Sequence, residues 1–188
     1  NSRSEHRPWC PHRKSTEEHT RSIVLAHELV TQGVLIRLPQ SVTARSGFAL
    51  PSLKAAILLG LRESLGGDPG HLGILQVADA SRGTPALLLH DKVPGGTGYL
   101  ISYSTSEGVR ELLEKAFRVI TECQCREEER MACHRCLLPF AAPYETDQVS
   151  RAVAADALAL LLTTGREDDP DTVDPTEAQW QWEVVVDA

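Results

Sequence analysis

The sequence predicts an α/β domain in which a mixed central sheet is flanked by helices and closed by a knot of four cysteines. Three observations carry that prediction. Two short, strongly apolar runs, HLGILQVAD and PALLLHD, are joined by the turn-prone Ser81-Arg82-Gly83. Two stretches, SLKAAILLGLRESL and Ser106 to Glu122, repeat their apolar residues at helical spacing. Four of the five cysteines crowd into fourteen residues, CQCREEERMACHRC.

In chain order, residues 1–20 carry many charges and no periodicity, and read as an irregular arm made locally basic by Arg3, Arg7, Arg13 and Lys14. From Ser22 to Leu38 the aliphatic and β-branched text predicts one or two strands, with a bend near Gln32-Gly33. Pro39 to Gly47 is a connector. Residues 52–65 place Leu53, Ile57, Leu61 and Leu65 on one helical face, with Ser52 as N-cap and Gly66-Gly67 as the stop. The two apolar runs that follow are too hydrophobic to face water on either side, which predicts a central place in a helix-covered sheet. PGGTGY, Pro94 to Tyr99, breaks regular structure. The helix Ser106–Glu122 should bury Val109, Leu112, Leu113, Ala116, Phe117 and Ile120. A third helix is expected over Asp147 to Leu162, burying Val149, Val153, Leu160 and Leu161 and closed by Gly165. REDDPDTVDPTE is an acidic linker, and the terminal WQWEVVVDA alternates as an edge strand does. The division expected is therefore an arm or join over 1–20, a domain holding the four-cysteine knot over 21–165, and an acidic C-terminal segment over 166–188.

Composition narrows the function. With 41% hydrophobic and 24% charged residues, the 188-residue chain is ordinary for a globular domain. No apolar run approaches the roughly 18–20 residues that span a bilayer, so no membrane partner is expected. The start lacks a signal-peptide pattern and an initiator Met, so we expect a piece of a longer polypeptide. A formal net charge of −7 argues against a basic DNA clamp, because non-specific binding runs on phosphate neutralisation. Five cysteines suit a disulfide framework poorly, and a reducing, cytoplasmic setting is expected.

The cysteine pattern is C-x-C, a seven-residue spacer, then C-x-x-C: Cys123, Cys125, Cys133 and Cys136. Two short pairs on separate turns can supply the four soft ligands of a tetrahedral, closed and therefore structural Zn²⁺ site. Reduced thiols, a disulfide pair and an iron–sulfur cluster are the competing readings, and His134 is a spare ligand. Cys10, in HRPWCPH, has His6 and His12 beside it but no second pair. PGGTGY lacks the Lys-Ser or Lys-Thr of a phosphate loop, so a tight strand-to-helix turn is preferred to direct ligand contact by Asp91, Gly95, Gly96, Gly98 and Tyr99. His27-Glu28 and His90-Asp91 raise the thought of a metal-dependent nuclease, but no further carboxylates fall at suggestive spacing. No catalytic residue is assigned, and the chain carries no Walker A loop or DEAD-like box.

A strand ending in His90-Asp91, then D-x-x-P-G-G-x-G-Y from Asp91 to Tyr99, a helix, and CQC…CHRC followed by Leu137 resembles the C-terminal zinc-binding domain of MrfA-type helicases. These are mitomycin-repair helicases of superfamily two, and the domain also occurs in DISARM-type antiphage proteins. HELVTQGVLIRLP looks like that domain's early strand, so the similarity covers roughly residues 22–140. The spacer REEERMA departs from the shorter, glycine-containing spacer of typical relatives. The resemblance implies structural Zn²⁺ on the four cysteines of an accessory domain, serving an ATP-dependent DNA helicase in DNA repair or phage defence. The motor would lie elsewhere, in the same chain or a partner subunit. Single-stranded DNA is the implied partner, with Arg126, Arg130 and Arg135 as phosphate contacts. Pairing of these arginines with Glu127, Glu128 and Glu129 is an equal alternative. A protein-interaction module of a defence complex, without DNA contact, is the other class, and the acidic charge favours it.

Overall fold

The computed structural model describes residues 8–10, 28–79 and 83–164. Its elements are β1 (Gly33–Arg37), α1 (Gln40–Thr43), α2 (Ala49–Leu65), β2 (Leu72–Ala78), β3 (Pro85–Asp91), α3 (Ser106–Glu122) and α4 (Arg151–Thr164). Short 3-10 turns cover Tyr99–Tyr103, Gln124–Arg126 and Leu138–Phe140. The expected central sheet with flanking helices is present. Its strand order is β1-β3-β2, and each pairing is antiparallel rather than mixed. The short connection between β2 and β3 permits only a hairpin, whereas a parallel pair needs a long crossover.

Strand alternation separates two faces. Val34 and Ile36 pair with Leu89 and Leu87, and these four side chains are buried among the helices' leucines. Leu35, Leu88 and Leu75 form a row on the other face. β3 is central, as its apolar text predicts, but β2 is an edge strand whose Leu75 is 51% exposed. Its apolar residues do not all reach the core, because helices cover the sheet's inner face. The strand predicted between Ser22 and Leu38 is limited to Gly33–Arg37 among the described residues, starting at the foreseen bend.

Helix α2 is the centre of the molecule, buried on nearly every side from Ala49 to Leu61. It packs on α3 closely enough that a Cβ on Gly60 would lie 2.6 Å from the Leu112 carbonyl oxygen. Its start corrects the sequence expectation. The helix begins at Ala49, with Pro51 in the first turn, where a missing N–H costs no hydrogen bond. Ser52 therefore lies inside the helix, fully buried, and its hydroxyl accepts the Ser150 amide at 2.8 Å. Gly66, left-handed at φ 69°, ends the helix as predicted.

The α3 boundaries match the prediction, with Thr105 as N-cap accepting the Gly108 amide at 3.1 Å. Its stripe is also as predicted, except that Phe117 is half-buried. Helix α4 starts at Arg151, later than the expected Asp147, because the Ser150 hydroxyl caps Val153 and the preceding residues form turns. Its buried positions are Ala154, Ala157, Leu158 and Leu161, so Val153 and Leu160 flank the face instead of centring it. Lys54 of α2 and Glu145, ahead of α4, form a largely buried ion pair at 2.6 Å. The predicted arm, apart from residues 8–10, and the segments 21–27 and 165–188 lie outside the described residues.

A candidate metal centre

The four cysteines are delivered by two turns set at the end of α3. Cys123 leaves the helix in an extended conformation (φ −65°, ψ 125°), and the Gln124–Arg126 turn folds Cys125 back inward. Arg130 N–H then donates to the Cys125 carbonyl at 3.2 Å, while Glu129 adopts φ 52°, the left-handed region that glycine favours. On the second arm, the Cys136 and Leu138 amides both donate to the Cys133 carbonyl, at 3.1 and 3.2 Å. Leu137, fully buried, pins this arm in the core.

The sulfur atoms all lie within 4.8 Å of one another. Cys123 to Cys133 is 3.5 Å, Cys133 to Cys136 3.6 Å and Cys125 to Cys136 3.8 Å. A Zn–S bond of about 2.3 Å places tetrahedral sulfurs about 3.8 Å apart, so the set fits a single ion. No pair is at the roughly 2.05 Å of a disulfide, and all four are free thiols. Backbone N–H groups turn toward the sulfurs: Cys133 N–H to Cys136 Sγ at 3.3 Å, and Arg135 N–H to Cys133 Sγ at 3.4 Å.

Electrostatics point the same way. Burial pushes the Cys125 and Cys136 thiols up, with neighbouring thiols adding to it at Cys125. For Cys133 burial is outweighed by the Arg135 amide and the facing thiols, which bring it down to about 7. Four thiolates packed together repel one another and resist leaving water, so the fully deprotonated set requires a cation among them. Zn²⁺ supplies that charge and fixes the two arms; with four sulfur ligands it has no open position for catalysis. His134 is exposed, and Cys10 stands outside the cluster.

Arg126, Arg130 and Arg135 are all exposed around the knot. Arg130 pairs with Glu128 at 2.9 Å, and Arg135 donates to Gln124 Oε1 at 3.1 Å. The Asp91–Tyr99 turn is a self-satisfied structure. The Asp91 carboxylate accepts the Val93 and Thr97 amides at 2.8 and 2.7 Å and also the Thr97 hydroxyl. Burial would raise the Asp91 carboxyl, but those bonds outweigh it and hold the group below its ordinary value. Gly95 and Gly96 N–H groups donate to Val30 and Val93 carbonyls, and Gly98 N–H to Gln32 Oε1. With these amides engaged, the three left-handed glycines build a turn and leave no cradle of free N–H groups for an anion. Gln32, which locks this turn from 66 residues away, escaped the sequence reading because nothing local marks so distant a bond.

Of the four residues raised for a nuclease, His27 lies outside the described residues, and Glu28 is exposed. Asp91 is fully buried in its turn, and His90 Nδ1 lies 3.2 Å from the Asp91 carbonyl oxygen. Among the described residues, the only cluster of three or more His, Cys, Asp or Glu side chains placed to hold a metal is the cysteine knot.

Residues 53–137 match the family model of the MrfA Zn-binding domain. No curated protein matches. A crystal structure of the DUF1998 helicase MrfA bound to DNA is similar over 68% of this chain, at 18% identity and a TM-score of 0.44. The chain spans 15% of that helicase's length. The matched segment contains all four cysteines, so residues 53–137 are similar to an MrfA-type zinc-binding domain and carry a cluster that fits a structural zinc site.

Proposed function

We propose that this chain is a zinc-stabilised accessory domain of an ATP-dependent DNA helicase or translocase, contributing to DNA handling and to docking on the motor. The observation that carries this reading is the closed four-cysteine centre inside the segment that matches the MrfA Zn-binding domain. The motor belongs to the same polypeptide or to a partner subunit, and the setting is cytoplasmic, in DNA repair or phage defence. The role is mechanical. Zinc fixes the segment after α3, so that a rigid surface meets the motor and single-stranded DNA. Arg126, Arg130 and Arg135 are its phosphate contacts. The Arg130–Glu128 ion pair leaves both side chains more than half exposed (66% and 54%), and exposed pairs of this kind contribute little that phosphate binding must overcome.

Binding of a labelled single-stranded oligonucleotide between about 50 and about 200 mM salt tests this reading. Affinity should fall with salt, and replacing the three arginines by alanine should reduce the logarithmic slope by about 2, at about 0.7 per single-strand phosphate contact. The net charge of −7 favours a second reading, a protein-interaction module without DNA contact. Salt-independent or absent DNA binding, with retained association to the motor, selects that alternative.

A further inference from the structure

The knot is asymmetric toward solvent. Cys125 and Cys136 are buried, at 4% and 0% exposure, whereas Cys123 and Cys133 are each half-buried and flanked by exposed Gln124, His134 and Arg135. The two accessible sulfurs come from different arms, and their 3.5 Å separation is the shortest among the three sulfur distances given above. From this geometry we propose that the knot is an oxidation site, at which a hydroperoxide joins Cys123 to Cys133 as the first disulfide and releases the zinc.

The chemistry balances with hydrogen peroxide as the oxidant. One of the two accessible thiolates attacks a peroxide oxygen; the O–O bond breaks, hydroxide leaves and the sulfur becomes a sulfenic acid. The second thiolate attacks that sulfur, forming the S–S bond and expelling a second hydroxide. In sum, two thiolates and one peroxide give one disulfide and two hydroxides, the sulfurs being oxidised and the peroxide oxygens reduced. Two thiolates, Cys125 and Cys136, then remain, too few for a closed four-sulfur site, and they take up protons as the metal departs. The competing bond within the C-x-x-C arm would require Cys136, which is fully buried and accepts the Cys133 amide. A Cys123–Cys133 bond instead straps the end of α3 to the second arm, which keeps Leu137 seated and makes re-reduction productive.

The test uses the zinc-loaded full chain carrying Cys10→Ser, which removes the thiol outside the knot. Zinc content is measured first. A limiting amount of hydrogen peroxide is then added, zinc release is followed with a chromogenic chelator, and disulfides are mapped by mass spectrometry after blocking free thiols. The expected result is zinc release in step with a Cys123–Cys133 disulfide, reversed by dithiothreitol and added zinc. An iodoacetamide time course on the unoxidised chain should alkylate Cys123 and Cys133 before Cys125 and Cys136. A zinc-loaded chain that forms Cys133–Cys136 first, or alkylates a buried cysteine first, overturns the inference and leaves the zinc site standing. A chain that never holds zinc overturns both.

Discussion

Replacing Cys136 by serine removes a thiolate from the fully buried corner of the knot. Apparent binding free energies of structural zinc sites run to about 10–16 kcal/mol, so one ligand's share is about 3 kcal/mol. That is a loss of roughly a hundredfold or more in zinc affinity. Where zinc saturates the parent, linkage turns the same factor into about 3 kcal/mol of lost stability, because the unfolded chain has no assembled site. For a chain of this length each kcal/mol moves the melting point by about 2–4 °C, which gives a fall of about 6–12 °C. The assay pairs metal analysis with thermal melts, with and without a strong chelator. The parent should drop on chelation, and the variant should start low and respond little. A Cys136→Ser protein that melts with the parent, with chelator making no difference to either, would refute the assignment of the knot as a support of the fold.

Three further substitutions probe the surroundings. Lys54→Met strands the Glu145 carboxylate, 14% exposed, and should cost about 3 kcal/mol by urea denaturation; Lys54→Met with Glu145→Leu should recover most of it, since a well-packed apolar pair often equals a buried ion pair. Glu129→Gly relieves the left-handed φ of 52° and should raise stability by about 1 kcal/mol in the same assay, an unchanged or lower midpoint counting against it. Asp91, held below its ordinary pKa by Thr97 and Val93, contributes stability that is full above its unfolded value of about 3.9 and is lost as pH falls through the folded value. Urea midpoints should therefore fall below about pH 4 in the parent, while Asp91→Asn should be less stable at neutral pH and show a shallower acid loss.

What the sequence disclosed was local. The α3 limits followed from a 3.6-residue apolar stripe, and the knot from cysteine spacing alone. Positions set by distant partners did not show. Ser52 reads as a cap by its neighbours, yet its hydroxyl serves Ser150, 98 residues away. The β2 text is as apolar as that of β3, and it is the edge position of β2 together with the helix-free face on which Leu75 lies that lets Leu75 meet water. The start of α4 depended likewise on bonds from other elements: Ser52 holds the Ser150 amide, and the Met131 carbonyl accepts the Arg151 amide.

Those bonds also explain why this region needs a metal. Between the end of α3 and the start of α4 the chain has no α-helix or strand, only the 3-10 turns at Gln124–Arg126 and Leu138–Phe140. Ordering such a segment costs backbone entropy that few buried side chains offset: Leu137 and Val149 are buried, and Phe140 lies under Arg62 at 5.2 Å. The zinc ties the segment's first half to α3, and the Met131 carbonyl then passes that order to the first turn of α4. Chelation should accordingly raise amide hydrogen exchange across 123–150 and the first turn of α4, while β3 and the buried turns of α2 keep their protection. Exchange that rises equally in β3 would mean that the knot supports the whole core; exchange unchanged at Arg151 would break the proposed link to α4.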